Sequence, residues 1–116
     1  MPFLLRDVLT YASNLKDVRR IIETSPGTNA FVYLMTDGKS KEGEIYIREH
    51  DRFRVEKPGK DIEDRGNKVP GIKDIVYGGH YNDKMNAALH EHFGKLTPEV
   101  LMKEIIPSIA TPSNYQ

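Results

Sequence analysis

Cysteine is absent from the chain. Disulfides, thiolate zinc sites and a cysteine nucleophile are thereby excluded from it. No charge sign predominates either: 17 Lys+Arg balance 17 Asp+Glu. Nucleic-acid binders draw much of their affinity from a basic excess that neutralises phosphates, so the whole-chain charge argues against that class and leaves room only for a local patch. No apolar run approaches the roughly 20 residues that span a bilayer. The opening Met1-Pro2-Phe3-Leu4-Leu5-Arg6 has neither the basic leader nor the long apolar core of a secretory signal. Internal repeats and low-complexity tracts are also missing. What remains is 116 residues, 38% hydrophobic and 29% charged, a length and balance suited to one folded, soluble domain.

The pattern along the chain predicts an α+β fold, an antiparallel sheet with packed helices. Leu4, Leu5, Val8, Leu9 and Ala12 recur at helical spacing. Asn14, with Asp17 three residues on, is a helix N-cap followed by a carboxylate near the free N–H groups. Leu15, Val18, Ile21 and Ile22 give that second helix a buried face, and Ser25-Pro26-Gly27 stops it. The resulting helical hairpin over 3–24 requires a sheet or further helices to cover it. Residues 29–37 are apolar on both faces and read as a central strand. Asp37-Gly38-Lys39-Ser40 is turn chemistry. In 44–49, Ile45 and Ile47 share one face while Glu44, Tyr46 and Arg48 share the other, which predicts a half-buried strand with the isoleucines inward. Phe53 and Val55 mark a third strand, completing a meander over 29–57.

Residues 58–71 read as a solvated loop bracketed by Pro58-Gly59 and Pro70-Gly71. A short extended segment over 72–77 and two helices fill the rest, to residue 116. The first helix opens at Asn82 or Asp83, buries Met85, Ala88, Leu89 and Phe93, and ends at Gly94. The second starts at Thr97-Pro98-Glu99, a capping hydroxyl, a first-turn proline and a carboxylate. Pro107 is expected to end it.

Few residues carry chemistry. His90 and His92 bracket Glu91, but positions i and i+2 on a helix point about 200° apart and do not share an ion. No metal site is expected, and a histidine near a helix C-terminus is explained by the helix dipole. Gly78-Gly79-His80-Tyr81-Asn82 fits two readings, a turn entering a helix or the wall of a ligand site with donors at a helix head. It is neither a phosphate-binding loop nor a dinucleotide fingerprint. Arg52 and Arg54 lie among Glu49, Asp51 and Glu56 and read as a solvated strand face. Asp61, Glu63 and Asp64 have no apolar setting to raise a carboxyl for proton transfer. No serine lies in a nucleophile elbow.

Several stretches taken together resemble a known family. Pro2-Phe3-Leu4-Leu5-Arg6-Asp7-Val8-Leu9, then Asn14-Leu15-Lys16-Asp17-Val18 and Ile21-Ile22, then Thr28-Asn29-Ala30-Phe31-Val32-Tyr33-Leu34-Met35-Thr36-Asp37-Gly38-Lys39 follow one order. It resembles the acyl-coenzyme A:6-aminopenicillanic acid acyltransferase-like family of N-terminal-nucleophile hydrolases. Ile75-Val76-Tyr77-Gly78-Gly79, Phe93-Gly94-Lys95-Leu96-Thr97 and Ser113-Asn114-Tyr115-Gln116 continue the likeness, while 57–71 matches nothing in it. The resemblance implies a four-layer αββα sandwich. It also implies amide-bond chemistry by a cysteine whose own α-amino group is the base, with no cofactor. The chain departs from the family at the nucleophile, having no cysteine. The expectation is therefore an internal piece of a longer enzyme that is inactive alone. Asn29, His80, Tyr81, Asn82 and Asn114 are carried over as substrate-pocket or oxyanion-side donors. The implied partners are a small acyl amide or thioester and the remainder of the enzyme chain, with no nucleic acid and no membrane. A homo-oligomer is compatible with this, and the expected compartment is cytoplasmic. Two rivals stand beside this reading. One is a free-standing, non-catalytic α+β binding module. The other is a nucleic-acid binder using Arg52, Arg54, Lys57 and Lys60.

Overall fold

A computed structural model describes residues 2–27, 30–64, 67–77 and 82–110. Helices α1 (Pro2–Tyr11) and α2 (Leu15–Thr24) form the expected hairpin. Leu4 and Val8, one turn apart, and Leu15, Val18 and Ile22 are buried. Asn14 caps α2: its Oδ1 accepts from the Asp17 N–H at 3.0 Å, and Asp17 returns the contact by accepting from the Ser13 N–H at 3.0 Å. At the other end the hydroxyls of Thr24 and Ser25 donate back to the Arg20 and Ile21 carbonyls one turn earlier, the local side-chain bonding typical of Ser and Thr near a helix end.

The strands β1 (Phe31–Asp37), β2 (Glu42–Arg48) and β3 (Phe53–Glu56) make an antiparallel sheet in the order β1-β2-β3. Phe31 pairs with Arg48 and Asp37 with Glu42; Arg48 also pairs with Phe53. The central strand is thus β2, and β1 lies at an edge, contrary to the expectation from its two apolar faces. The inward face differs as well. Tyr33, Tyr46, Phe53 and Val55 pack with Leu4, Val8, Val18 and Ile22 into one core, so the helices cover the Glu44-Tyr46-Arg48 face of β2. Being central, β2 is covered on both sides at its middle: Ile45 and Tyr46 are both buried. Its polar residues are compensated where they stand. Arg48 donates to the carbonyls of Ser25, Glu49 and Arg52, tying the end of α2 to the β2–β3 turn.

The segment expected to be a solvated loop contains a second, two-stranded ribbon, β4 (Ile62–Asp64) paired with β5 (Asn67–Val69). Ile62 and Val69 face each other across it. With Ile72, Tyr77, Leu89 and Ile105 they build a second core separate from the first. Asp61 clamps the base of the ribbon, accepting from the Gly71 N–H at 3.2 Å and pairing with Lys68 at 3.1 Å. These contacts hold its carboxyl below the usual range, the Gly71 bond first and Lys68 next. Gly71 presses so closely on the Lys60 backbone that a β-carbon there would collide with it. Gly59 N–H donates to the Ile72 carbonyl at 2.9 Å beside this contact. The two Pro-Gly pairs therefore bring the ends of the segment together.

Residues 72–77 form a tight turn with an Ile72–Ile75 bridge. Helix α3 (Asn82–Glu91) follows, and Gly94 takes the left-handed conformation, φ +81°, that suits glycine after a helix. Thr97 caps the last helical run, its Oγ1 accepting from the Val100 N–H at 3.1 Å. That run begins as α4 (Pro98–Val100), widens into a π segment (Leu101–Ile105) and closes as α5 (Ile106–Ile109). Pro107 thus does not end the helix as expected. It lacks an N–H for the Lys103 carbonyl and would press on that carbonyl in α geometry. In the wider turn Ile106 instead donates to Leu101, and the helix passes through the proline. Among the described residues no helix is long and apolar enough to cross a membrane.

Candidate functional site

Of the five residues carried over from the resemblance, Asn29, His80, Tyr81 and Asn114 lie outside the described residues. Asn82 is placed by its backbone as the first residue of α3. Among the described residues no group of histidine and carboxylate side chains is arranged to hold a metal ion. His92 lies just beyond α3 and faces Glu104, with Nε2 2.8 Å from Oε2; His50 Nδ1 contacts the Gly27 carbonyl at 3.0 Å. Of the four proposed phosphate contacts, Arg54 is turned to the Glu63 carbonyl and Glu49, and Lys57 to Glu44.

A groove of about 630 Å³ lies where the β1–β2 hairpin meets the segments before β4 and after β5. Charges of both signs line it: Asp37, Lys41, Glu42, Glu44, Lys57 and Asp74. The hairpin turn is shaped locally. Asp37 Oδ1 accepts from the Lys39 N–H at 2.9 Å, and Lys41 takes a positive φ of 57°. At its floor Glu44 is the pivot, its side chain only 14% exposed. One oxygen pairs with Lys57 Nζ at 3.1 Å. The other accepts from the Tyr46 hydroxyl at 2.5 Å. That hydroxyl also lies 3.2 Å from the Leu15 carbonyl. Its single proton faces two acceptors, and the nearer, charged carboxylate takes it.

Burial, then the hydrogen bond and charge of Glu44, hold the Tyr46 phenol far above the ordinary tyrosine range, with Arg19 opposing weakly. A phenol so held stays neutral and gives no base or nucleophile. Glu44 and Lys57 neutralise each other. The floor of the groove, through the Tyr46 hydroxyl and the Leu15 carbonyl, also anchors α2 to the sheet. These residues escaped the sequence analysis because Glu44 and Lys57 meet only through the β2–β3 register, and Tyr46 was grouped with Glu44 and Arg48 on the face opposite the isoleucines.

A second surface lies on the sheet face opposite the helices. Val32 and Leu34 on β1 are 64% and 62% exposed there. Ile45 and Ile47 stand opposite them on β2. Val76 lies over one corner, its Cγ1 3.5 Å from where a β-carbon at Gly43 would stand, an ordinary van der Waals contact. The edge strand β1 carries no charge before Asp37, whereas β3 carries Arg54 and Glu56. Comparisons with family models, curated proteins and solved structures gave no match.

Proposed function

We propose that this chain is a non-catalytic helix–sheet layer that docks a second β layer through the outer face and free edge of β1. In its specific form, the reading makes the chain the scaffold of an N-terminal-nucleophile amidohydrolase or acyltransferase. The remainder of that enzyme then brings the nucleophile and the second sheet. The observation that carries it is the bare stretch of the outer sheet face along β1. Helices cover one face, while Val32 and Leu34 stand exposed on the other beside an uncharged edge. A strand edge exposed to water is ordinarily blunted by lysine, proline or a bulge, and adjacent aliphatic side chains left bare mark a contact surface. An αββα sandwich requires this asymmetry of each half: helices outside, apolar sheet face inside. The polar groove, lined by Glu44 and Lys57, would form part of the pocket wall for a small acyl amide or thioester.

The test is sedimentation and hydrophobic-dye binding of the purified chain beside a Val32→Thr/Leu34→Lys variant. The native chain should self-associate or bind dye. The variant should lose both and keep its helix content. A native chain that stays monomeric and dye-free, with no response to the substitutions, would refute docking at this face and favour a free-standing module. Turnover of acyl amides by the purified chain alone would refute the non-catalytic assignment.

A further inference from the structure

His92 makes two contacts that a neutral imidazole cannot make together. Nδ1 lies 2.9 Å from the Ala88 carbonyl oxygen, and Nε2 lies 2.8 Å from Glu104 Oε2. A carbonyl only accepts, so Nδ1 must carry a hydrogen to bond there. A neutral ring then turns the lone pair of Nε2 toward a carboxylate. With the other tautomer the lone pair meets the Ala88 oxygen instead. One N–H per neutral ring thus leaves one contact unmade, and two N–H groups satisfy both. Whether the second proton is drawn on nitrogen or on the carboxyl group, the pair as a unit holds one extra proton.

The contact joins parts of the chain that also share the second core through Leu89 and Ile105. Ala88 is in α3 and Glu104 is in the π segment, next to the fully buried Ile105. We propose that His92 and Glu104 are a proton-operated latch that fastens the π segment to the end of α3 when the pair holds its shared proton and releases it when the proton leaves.

The charges around the pair agree with a proton being held there. Glu91, at the end of α3, adds negative potential at the ring. The charged neighbours on the facing elements are engaged elsewhere: Lys103 with Glu99 at 2.7 Å, and Lys68 on β5 with Asp61 at 3.1 Å. α5, Ile106–Ile109, holds no titratable residue. The Ala88 bond first, then Glu104 and Glu91 against some desolvation, raise His92 above the ordinary value of 6.5. A group with a raised folded-state value contributes its stabilisation fully below its unfolded value. The latch is therefore closed below about 6.5, the ordinary histidine value, and opens as pH rises through the higher folded-state value.

The experiment is a pH titration of the full chain by NMR, following the His92 ring and the backbone amides of residues 101–106. Wild type, Glu104→Gln and Glu91→Gln are compared. The expected result has three parts. His92 titrates above the ordinary histidine value in wild type. The amides of 101–106 step at the same midpoint. Glu104→Gln lowers the midpoint and abolishes the amide step, while Glu91→Gln lowers the midpoint slightly and leaves the step. An unchanged midpoint in Glu104→Gln would overturn the latch, as would wild-type amides that do not follow His92. An equal fall in Glu91→Gln would assign the effect to the general field and overturn it too. Glu104 is exposed, so its substitution leaves both cores intact.

Discussion

Replacing Ile22 or Ile105 by alanine tests whether the two cores are separate in energy as well as in space. Both side chains are 0% exposed, Ile22 in the core of α1, α2 and the sheet, Ile105 in the core under the ribbon and α3. Each substitution removes three heavy atoms from a filled site and should cost about 2–5 kcal/mol, transfer and cavity terms together. Against a whole-domain stability of roughly 5–15 kcal/mol, that is a large fraction. It corresponds to a fall of roughly 8–20 °C in melting temperature at ~4 °C per kcal/mol. The bridges between the cores include backbone and polar contacts: Gly59 N–H to the Ile72 carbonyl at 2.9 Å and Arg54 to the Glu63 carbonyl at 3.3 Å. Such contacts transmit less than shared apolar packing does. Hydrogen exchange should therefore split by core. Ile22→Ala should lower protection in residues 31–56 and leave 62–109 near the native level; Ile105→Ala should do the reverse. Equal loss of protection in both regions from either substitution would refute the reasoning. The chain would then be one cooperative unit whose apolar contacts the two-core division underestimates.

Two tyrosines of similar burial should respond in opposite ways to loss of the hydroxyl. Tyr46→Phe leaves Glu44 without its 2.5 Å donor and should cost about 1.5–3 kcal/mol, the range for a bond to a charged group. The Tyr33 hydroxyl is buried with no partner among the described residues. Tyr33→Phe should therefore be neutral or stabilising by about 1 kcal/mol. Urea unfolding decides both, and a loss above about 1 kcal/mol for Tyr33→Phe would mean that its hydroxyl is bonded. Asn14→Ala removes the acceptor for the Asp17 N–H and should cost about 1 kcal/mol. The same measurement checks it, and an unchanged unfolding midpoint would show that water caps α2 equally well.

Features set by neighbours in sequence were legible, and features set by meetings across the fold were not. The Asn14 and Thr97 caps, the Gly94 terminus and the β1–β2 turn each depend on residues within about four positions. All appear as expected. The position of β1 in the sheet was misread because apolar residues on both faces occur in a central strand and also in an edge strand whose outer aliphatic side chains stay exposed, as Val32 and Leu34 do. Alternation in β2 gave the wrong inward side for a related reason. Ile45 and Tyr46 are both buried, and which face carries the helices depends on where α1 and α2 fold back. The β4–β5 ribbon was hidden because only Ile62 and Val69 are apolar anchors in a charged stretch. The candidate site follows the same division. Lys57 reaches Glu44 only through the β2–β3 register, and His92 reaches Glu104 only through the packing of the last helical run against the end of α3. A proline such as Pro107, read locally, is a stop signal. Here the buried Ile105, just ahead of the proline, gives the helix an apolar reason to continue, and the widened turn is the backbone's way of keeping both.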